Sequence, residues 1–352
     1  MLAPETLEEI TAAVKAANRY GEPLRIFGSD SKAFYGRGVV GTPLSLRNLS
    51  GVIAYEPTEL VVTVRAGTRI GDLEALLASK SQMLACEPPH LGNDATIGGM
   101  IGTGLAGPRR PYAGGVRDSV LGIRCIVAAG SLLRFGGQVM KNVAGFDISR
   151  LMVGALGTLG IIVEASLKVL PRPRAEITLC QEVQAARAIE LMNAWARKPL
   201  PLSAAAYDGV AVYARLTGSA ASVASACAEI GGHEADSRFW EDLREQRLPY
   251  FLDGRPVWRV SAPPAAAPLA LAGEWFFDWG GAHRWLKSEA DPEDIKHAAV
   301  GCGGHAVLFR GGDQEGEPFP RPPPALLSVY QRIKKAFDPN GILNPGRLLP
   351  EL

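Results

Sequence analysis

Cysteine is scarce: there are five in 352 residues, an odd number, and no two form a C-x-x-C pair. This argues against a disulfide framework and against a cysteine-ligated iron–sulfur cluster, leaving small buried thiols in a reducing compartment as the plain reading. Net charge is almost absent as well, at +1. No global attraction to nucleic acid follows from it. Long apolar runs are missing. The longest uncharged stretches, such as residues 95–108 and 151–163, are interrupted by glycine and fall short of the ~20 residues a membrane helix needs. The N-terminus has neither a basic patch nor an apolar core, so no secretory signal is expected and the expected location is cytoplasmic. A 47% hydrophobic fraction excludes disorder as the main state.

Glycine is what the chain has in excess. There are 40, and fifteen of them lie between Gly98 and Gly160. The same window holds seven Lys or Arg against Asp118 and Asp147. A glycine-rich, locally basic stretch lets backbone N–H groups approach an anion closely.

The first half alternates strand and helix. Thr6 and Glu9 predict a capping box, Leu7, Ile10, Val14 and Ala17 an apolar stripe, and Gly21 a helix stop. Residues 24–27 read as a strand running into the turn 28–32, residues 52–55 and 60–65 as strands, and residues 69–80 as a helix. Beyond residue 172 the character changes, and all six tryptophans lie between Trp195 and Trp285. Helical patterns at 184–197 and 219–230, with strand-like runs at 176–180, 210–216, 257–261 and 306–310, predict a split-βαβ, ferredoxin-like cap. Residues 261–268 and 311–324 read as proline-rich loops, and 325–337 as a last helix. No tandem repeat of fixed period is visible.

A literal G-x-G-x-x-G spans Gly102, Gly104 and Gly107, but two prolines follow at once and no strand precedes it. The dinucleotide fingerprint requires both a strand before and a helix after. The turn Gly28–Ser–Asp–Ser–Lys32 lacks the spacing of a P-loop. What remains is three separate glycine-rich turns, at 27–32, 87–107 and 141–162, of the kind an extended ligand with a central diphosphate needs.

These segments resemble the FAD-binding domain of the vanillyl-alcohol oxidase/p-cresol methylhydroxylase (PCMH) superfamily. The resemblance rests on the Gly/Ser loop, Thr96-Ile-Gly-Gly99, Arg117-Asp-Ser-Val-Leu-Gly122, Gly157-Thr-Leu-Gly-Ile161 and the terminal Asn344-Pro-Gly-Arg347. Gly28-Ser-Asp-Ser-Lys-Ala-Phe34, Cys86-Glu-Pro-Pro-His90, Gly104-Leu-Ala-Gly-Pro-Arg-Arg-Pro111 and the stretch from Arg134 to Asp147 resemble, more particularly, the smaller FAD-binding subunits of bacterial glycolate-oxidising complexes. The resemblance implies an α+β fold: a two-subdomain PCMH-type FAD-binding domain at 1–172, completed by 336–352, and a ferredoxin-like cap at 173–335.

It also implies roles. Gly28, Ser29, Asp30, Ser31 and Lys32 would form the loop on the FAD pyrophosphate, although an acid such as Asp30 is unfavourable there unless it turns to cap the local backbone. Pro88, Thr96, Ile97, Gly98, Gly99, Gly102 and Thr103 would lie along the isoalloxazine and ribityl groups. Gly157, Thr158, Gly160 and Ile161 would lie near the adenosine half, with Ile162 either there or simply in the core. Asn344 and Arg347 would close the site from the C-terminus or form a surface turn. The first loop has no histidine, and neither Cys86 nor His90 is placed on the flavin, so non-covalent FAD is the expectation. No metal is expected.

Oxidising a 2-hydroxy acid takes a cation for the carboxylate, a base for the hydroxyl proton and a hydride acceptor. The cap offers His283, His297, His305 and Arg310. His305 and Arg310 are the catalytic candidates, and a lone histidine is commonly structural. Arg109 and Arg110 read equally as a carboxylate or partner contact and as a solvated basic loop. The resemblance implies glycolate-to-glyoxylate oxidation in a hetero-oligomer with a larger flavoprotein subunit and an iron–sulfur subunit, peripheral to the inner membrane, with the main dehydrogenation on the larger subunit. Three alternatives stay open: a self-sufficient FAD-dependent 2-hydroxy-acid dehydrogenase, a structural subunit that has lost FAD, and, more distantly, a nicotinamide-dependent dehydrogenase.

Overall fold

The computed structural model describes residues 1–137 and 147–352, so part of the stretch between Arg134 and Asp147 lies outside the described residues. Along the chain run α1 (Leu7–Tyr20), β1 (Leu24–Phe27), β2 (Thr42–Ser45), β3 (Val52–Glu56), β4 (Val61–Arg65), α2 (Ile70–Ala78), β5 (Gln82–Met83), α3 (Ile97–Thr103), α4 (Arg110–Ala113), α5 (Val116–Ser119), β6 (Val120–Ile126), β7 (Leu132–Gly136), α6 (Ile148–Leu151), β8 (Ile161–Lys168) and β9 (Leu170–Pro171). There follow β10 (Ala175–Glu182), α7 (Ala185–Ala196), β11 (Leu202–Tyr207), β12 (Ala211–Gly218), α8 (Ala220–Ile230), β13 (His233–Glu234), α9 (Arg238–Arg244), β14 (Val257–Ser261), β15 (Glu274–Asp278), β16 (His283–Lys287), α10 (Pro292–Gly301), β17 (His305–Arg310) and α11 (Pro324–Phe337).

The chain forms two compact units. The first comprises Met1–Leu105, Gly115–Pro171 and Arg321–Leu352, the second Ala106–Gly114 and Arg172–Pro320. Against the expected boundary at 335/336, α11 therefore belongs with the first unit. The short segment 106–114 belongs with the second.

In the first unit, Thr6 Oγ1 accepts from the Glu9 N–H at 3.2 Å. The Glu9 carboxylate reaches the Glu5 N–H at 2.8 Å, one residue earlier than a capping box requires. Gly21 closes α1 at φ 67°, the left-handed region that glycine enters without strain. Helix α1 buries Ile10, Val14 and Ala17 in a core shared with Leu24, Leu44, Ile126, Ile161, Val163, Ile342 and Leu343. That core draws in β1, β2, β6, β8 and the C-terminal tail together. Strand β8 lies at the centre of an antiparallel sheet of order β3-β4-β8-β6-β7. Strands β1 and β2 form a separate parallel pair, and the tail bridges to β1 at Leu24–Leu343.

The second unit is built on one eight-stranded sheet of order β13-β10-β12-β11-β15-β16-β14-β17. Its first half, β10-α7-β11-β12-α8-β13, has the expected split-βαβ arrangement. Its second half, β14-β15-β16-α10-β17, lays down four strands in the same relative order. A loop at 262–273 stands where the first half has a helix. The halves join at Tyr207–Phe277 of β11 and β15. The topology therefore repeats although the sequence shows no repeat. Strand β11 escapes sequence reading because Leu-Ser-Ala-Ala-Ala-Tyr has little intrinsic strand preference. Ala204, Ala205 and Ala206 are completely buried there, so packing makes the strand.

Candidate functional site

Described parts of the three glycine-rich turns converge on one open cleft within the first unit. One wall is the loop after β1, from Gly28 to Ala33. A second is α3, a third is Leu156 to Ile162, and Asn344 and Arg347 of the tail close it.

Thirteen of the seventeen cofactor-binding candidates line this cleft: Gly28, Ser29, Asp30, Ser31, Lys32, Thr96, Gly98, Gly99, Gly102, Thr103, Gly157, Gly160 and Asn344. Four do not. Ile97 is fully buried because α3 turns its apolar positions, Ile97, Met100 and Ile101, away from the glycines. Ile161 is fully buried in the core of the first unit, while Ile162 lines the cleft. Strand alternation thus assigns to Ile162 the place expected of Ile161. The Thr158 hydroxyl is turned onto the Ala155 carbonyl at 2.7 Å. Pro88 is buried and does not line the cleft. Its segment acts instead through the His90 carbonyl, which accepts from Ser31 Oγ at 3.2 Å and Lys32 Nζ at 3.0 Å.

The cleft fits an extended anion in three respects. First, the backbone N–H groups of Ser29, Asp30 and Ser31 donate to no acceptor among the described residues, an arrangement that makes an anion-binding concavity. Second, a Cβ on Gly102 would meet no protein atom within 4 Å, whereas Gly98 and Gly157 let the walls themselves approach: a Cβ there would stand 3.0 Å from Ala66 Cβ and 2.7 Å from Asn344 Nδ2. Third, Arg25, Lys32 and Arg347 outnumber Asp30 among the charged lining residues. Asp30 is itself paired: its Oδ2 accepts from Arg25 Nη1 at 2.7 Å. Its φ of 65° is left-handed, a region aspartate enters more readily than most residues. Leu156 and Asn344 are left-handed too, at 51° and 41°. Such backbone strain gathers at ligand clamps.

Asn344 works as a surrogate peptide group. Its Oδ1 accepts from the Ile26 N–H at 2.6 Å, and its Nδ2 donates to Ile26 O at 3.1 Å and Leu156 O at 2.7 Å. The tail itself is anchored by Lys334, whose Nζ donates to Thr158 O, Leu343 O and Asp338 Oδ2. Asp338 in turn accepts from the N–H groups of Ile342 and Leu343. Apart from the i,i+4 spacing of Lys334 and Asp338, no spacing rule in the sequence signals these partnerships.

The Gly102–Gly107 motif is not a nucleotide turn. Gly102 lies inside α3, Gly104 is its left-handed cap, and the Gly107 carbonyl accepts from Trp279 Nε1 at 3.0 Å. In the second unit, the catalytic candidates are not brought together. His305 pairs with Ser261 and Arg310 with Val257, at opposite ends of β14 and β17. Sequence reading missed Arg259, which stacks 5.2 Å from the Trp279 ring and makes no hydrogen bond or ion pair among the described residues. Nearby, His283 is sandwiched between Trp279 and Trp285, each with ring centroids 4.4 Å away. Neither of its ring nitrogens has a hydrogen-bond partner among the described residues. Burial, with Arg259 and Arg110 adding to it, holds this imidazole well below its ordinary pKa. Arg109 is spoken for by Thr217 and Glu176. Among the described residues no His, Cys, Asp or Glu side chains gather as a metal site, and no helix is long and apolar enough to cross a membrane.

Comparison with known proteins bears on this geometry. Residues 1–136 match a family model described as "FAD binding domain", and residues 322–348 match one described as "FAD linked oxidases, C-terminal domain". The chain is 49% identical to the glycolate oxidase subunit GlcE of Escherichia coli over 346 residues, 98% of this chain and 97% of that protein. It is 31% identical to the glycolate oxidase subunit GlcD of Bacillus subtilis over 181 residues, 51% of this chain and 38% of that one. The crystal structure of p-cresol methylhydroxylase with substrate bound superposes with a TM-score of 0.71 at 17% identity, covering 98% of this chain and 88% of that one.

Proposed function

The chain belongs to the vanillyl-alcohol oxidase/p-cresol methylhydroxylase family of FAD-dependent oxidoreductases, and from that premise we propose that it is the FAD-binding subunit of a complex that oxidises glycolate to glyoxylate. The observation that carries the reading is the cleft, whose bare N–H groups, glycine walls and excess cations suit a flavin dinucleotide. Bound FAD supplies the two-electron acceptor for hydride from C2 of a 2-hydroxy acid.

The residues that would hold it are Gly28 to Lys32 for the diphosphate, Thr96, Gly98, Gly99, Gly102 and Thr103 along the ring and ribityl portions, and Gly157, Gly160 and Ile162 near the adenosine. The attachment is non-covalent. None of the described residues lining the cleft is His, Cys or Tyr. Cys86 is buried, with its thiol pushed up to about 12 chiefly by burial, and a neutral thiol is a poor nucleophile.

A larger flavoprotein subunit and an iron–sulfur subunit complete the complex in this reading, which is cytoplasmic, peripheral to the inner membrane, and carries the main dehydrogenation on the larger subunit. The separation of His305 from Arg310 supports that division of labour. Arg259, with His305 on the neighbouring strand, favours a second reading in which this chain oxidises the acid itself.

The experiment is an absorbance spectrum of the purified chain, taken anaerobically with and without glycolate. Flavin bands without bleaching are expected. Complete bleaching by glycolate moves dehydrogenation onto this chain. Absence of flavin, together with failure to bind added FAD, defeats the FAD assignment.

A further inference from the structure

The loop that would meet the diphosphate is held in part by its own neighbourhood, through the Ala33 N–H on Asp30 O and the Arg25–Asp30 pair, and in part by the distant tail. The segment following it, residues 32–37, wraps around the guanidinium of Arg347. Nη1 donates to Arg37 O at 2.9 Å. Nη2 donates to Ala33 O at 3.0 Å and Tyr35 O at 2.9 Å, with Lys32 O at 3.4 Å. The Arg37 N–H returns a bond to Arg347 O at 3.1 Å. One side chain thus satisfies a run of backbone carbonyls immediately after Ser29 to Ser31, whose N–H groups have no acceptor among the described residues. A planar guanidinium suits this, since its donors leave in fixed directions.

We propose that Arg347 is a positioning residue for the cofactor. By gathering the carbonyls of residues 32–37 it turns the loop so that the N–H groups of residues 29–31 face the cleft, and retention of FAD depends on the C-terminal tail through that loop. The inference rests on the FAD reading above and gives Arg347, one of the cations lining the cleft, a further role as the support of the loop. The tail gives this side chain a firm base. Lys334, Asp338 and Asn344 fix it to Thr158, Ile26 and Leu156, so Arg347 projects from an anchored support.

The test measures FAD dissociation constants and melting of the flavin-free protein for the full-length wild type, Arg347→Ala and Arg347→Lys. Arg347→Ala is expected to raise the FAD dissociation constant at least tenfold, while the flavin-free protein melts within about 2 °C of wild type. Arg347→Lys, with three donors but no fork, is expected to fall between. An unchanged dissociation constant in Arg347→Ala overturns the proposal. So does a melting temperature that falls in step with flavin loss, because a merely structural role moves both. If Arg347→Ala does not fold, Arg347→Lys decides on the same two readouts. Failure of the wild type itself to bind FAD is a different result and counts against the cofactor reading instead.

Discussion

A Cβ placed on Gly28 would stand 2.0 Å from Thr96 Oγ1. That hydroxyl already caps α3 by accepting from the Gly99 N–H at 3.2 Å. The loop after β1 and the start of α3 therefore meet with no room for a methyl group. Gly28→Ala is expected to displace the Thr96 cap, to cost about 1–3 kcal/mol by overpacking, and to weaken FAD binding at least tenfold. Urea unfolding and flavin titration check the two effects separately, and wild-type FAD affinity would refute the assigned closeness.

Asp30 tests the electrostatics of the loop. Replacing it with asparagine keeps a residue that accepts left-handed backbone and removes the one acid among the cleft's charged groups, releasing Arg25. Both partners are about a third exposed, so the effect is modest. Asp30→Asn is expected to tighten FAD binding by about threefold at low ionic strength, with the gain fading as salt rises. A dissociation constant that rises instead would show that Asp30 orders the loop.

The Lys334–Asp338 pair, at 2.7 Å with side chains 9% and 0% exposed, ties the tail. Lys334→Met leaves a buried carboxylate without its cation, and breaking such a pair costs about 3–5 kcal/mol. The double variant Lys334→Met/Asp338→Leu is expected to recover part of the loss, because no lone charge then remains, although the N–H groups of Ile342 and Leu343 lose their acceptor. Chemical denaturation of the three proteins gives the comparison.

His283 predicts a pH dependence. Its folded-state pKa lies well below the ordinary 6.5, through burial first and the Arg259 and Arg110 cations second. As pH falls below 6.5, the unfolded chain takes up a proton that the folded chain refuses. The contribution to stability is therefore complete above 6.5 and declines below it, by up to about 1.4 kcal/mol per pH unit. His283→Phe is expected to flatten the melting temperature between pH 6.5 and 5 relative to wild type. Parallel curves for the two proteins would refute the assignment.

Local signals were legible where one short segment decides its own structure. Thr6 and Gly21 do bound α1, Ser219 caps α8, and the strand expected at 257–261 is β14. Misplacements came where direction mattered. A glycine-flanked Ile161–Ile162 pair tells which residues are near a ligand, but not which of the two points at it. That depends on which face of β8 meets the core of α1, and here Ile161 does. Strand β11 and Arg259 share another difficulty: alanines and a single arginine carry no periodic pattern, and only the strands beside them give them a role.

The sequence by itself determined where the chain could approach an anion, because glycine permits positive φ and close contact wherever it stands, and the Gly28, Gly98 and Gly157 turns were visible as composition. Only the tertiary structure decided that these turns form one cleft and that the C-terminus completes it. The Asn344–Ile26 contact joins residues 318 positions apart, and Arg347 holds carbonyls that any residues from 32 to 37 would present. Backbone groups look alike in every sequence, so a side chain that recognises them leaves its partner unmarked until the fold brings the two together.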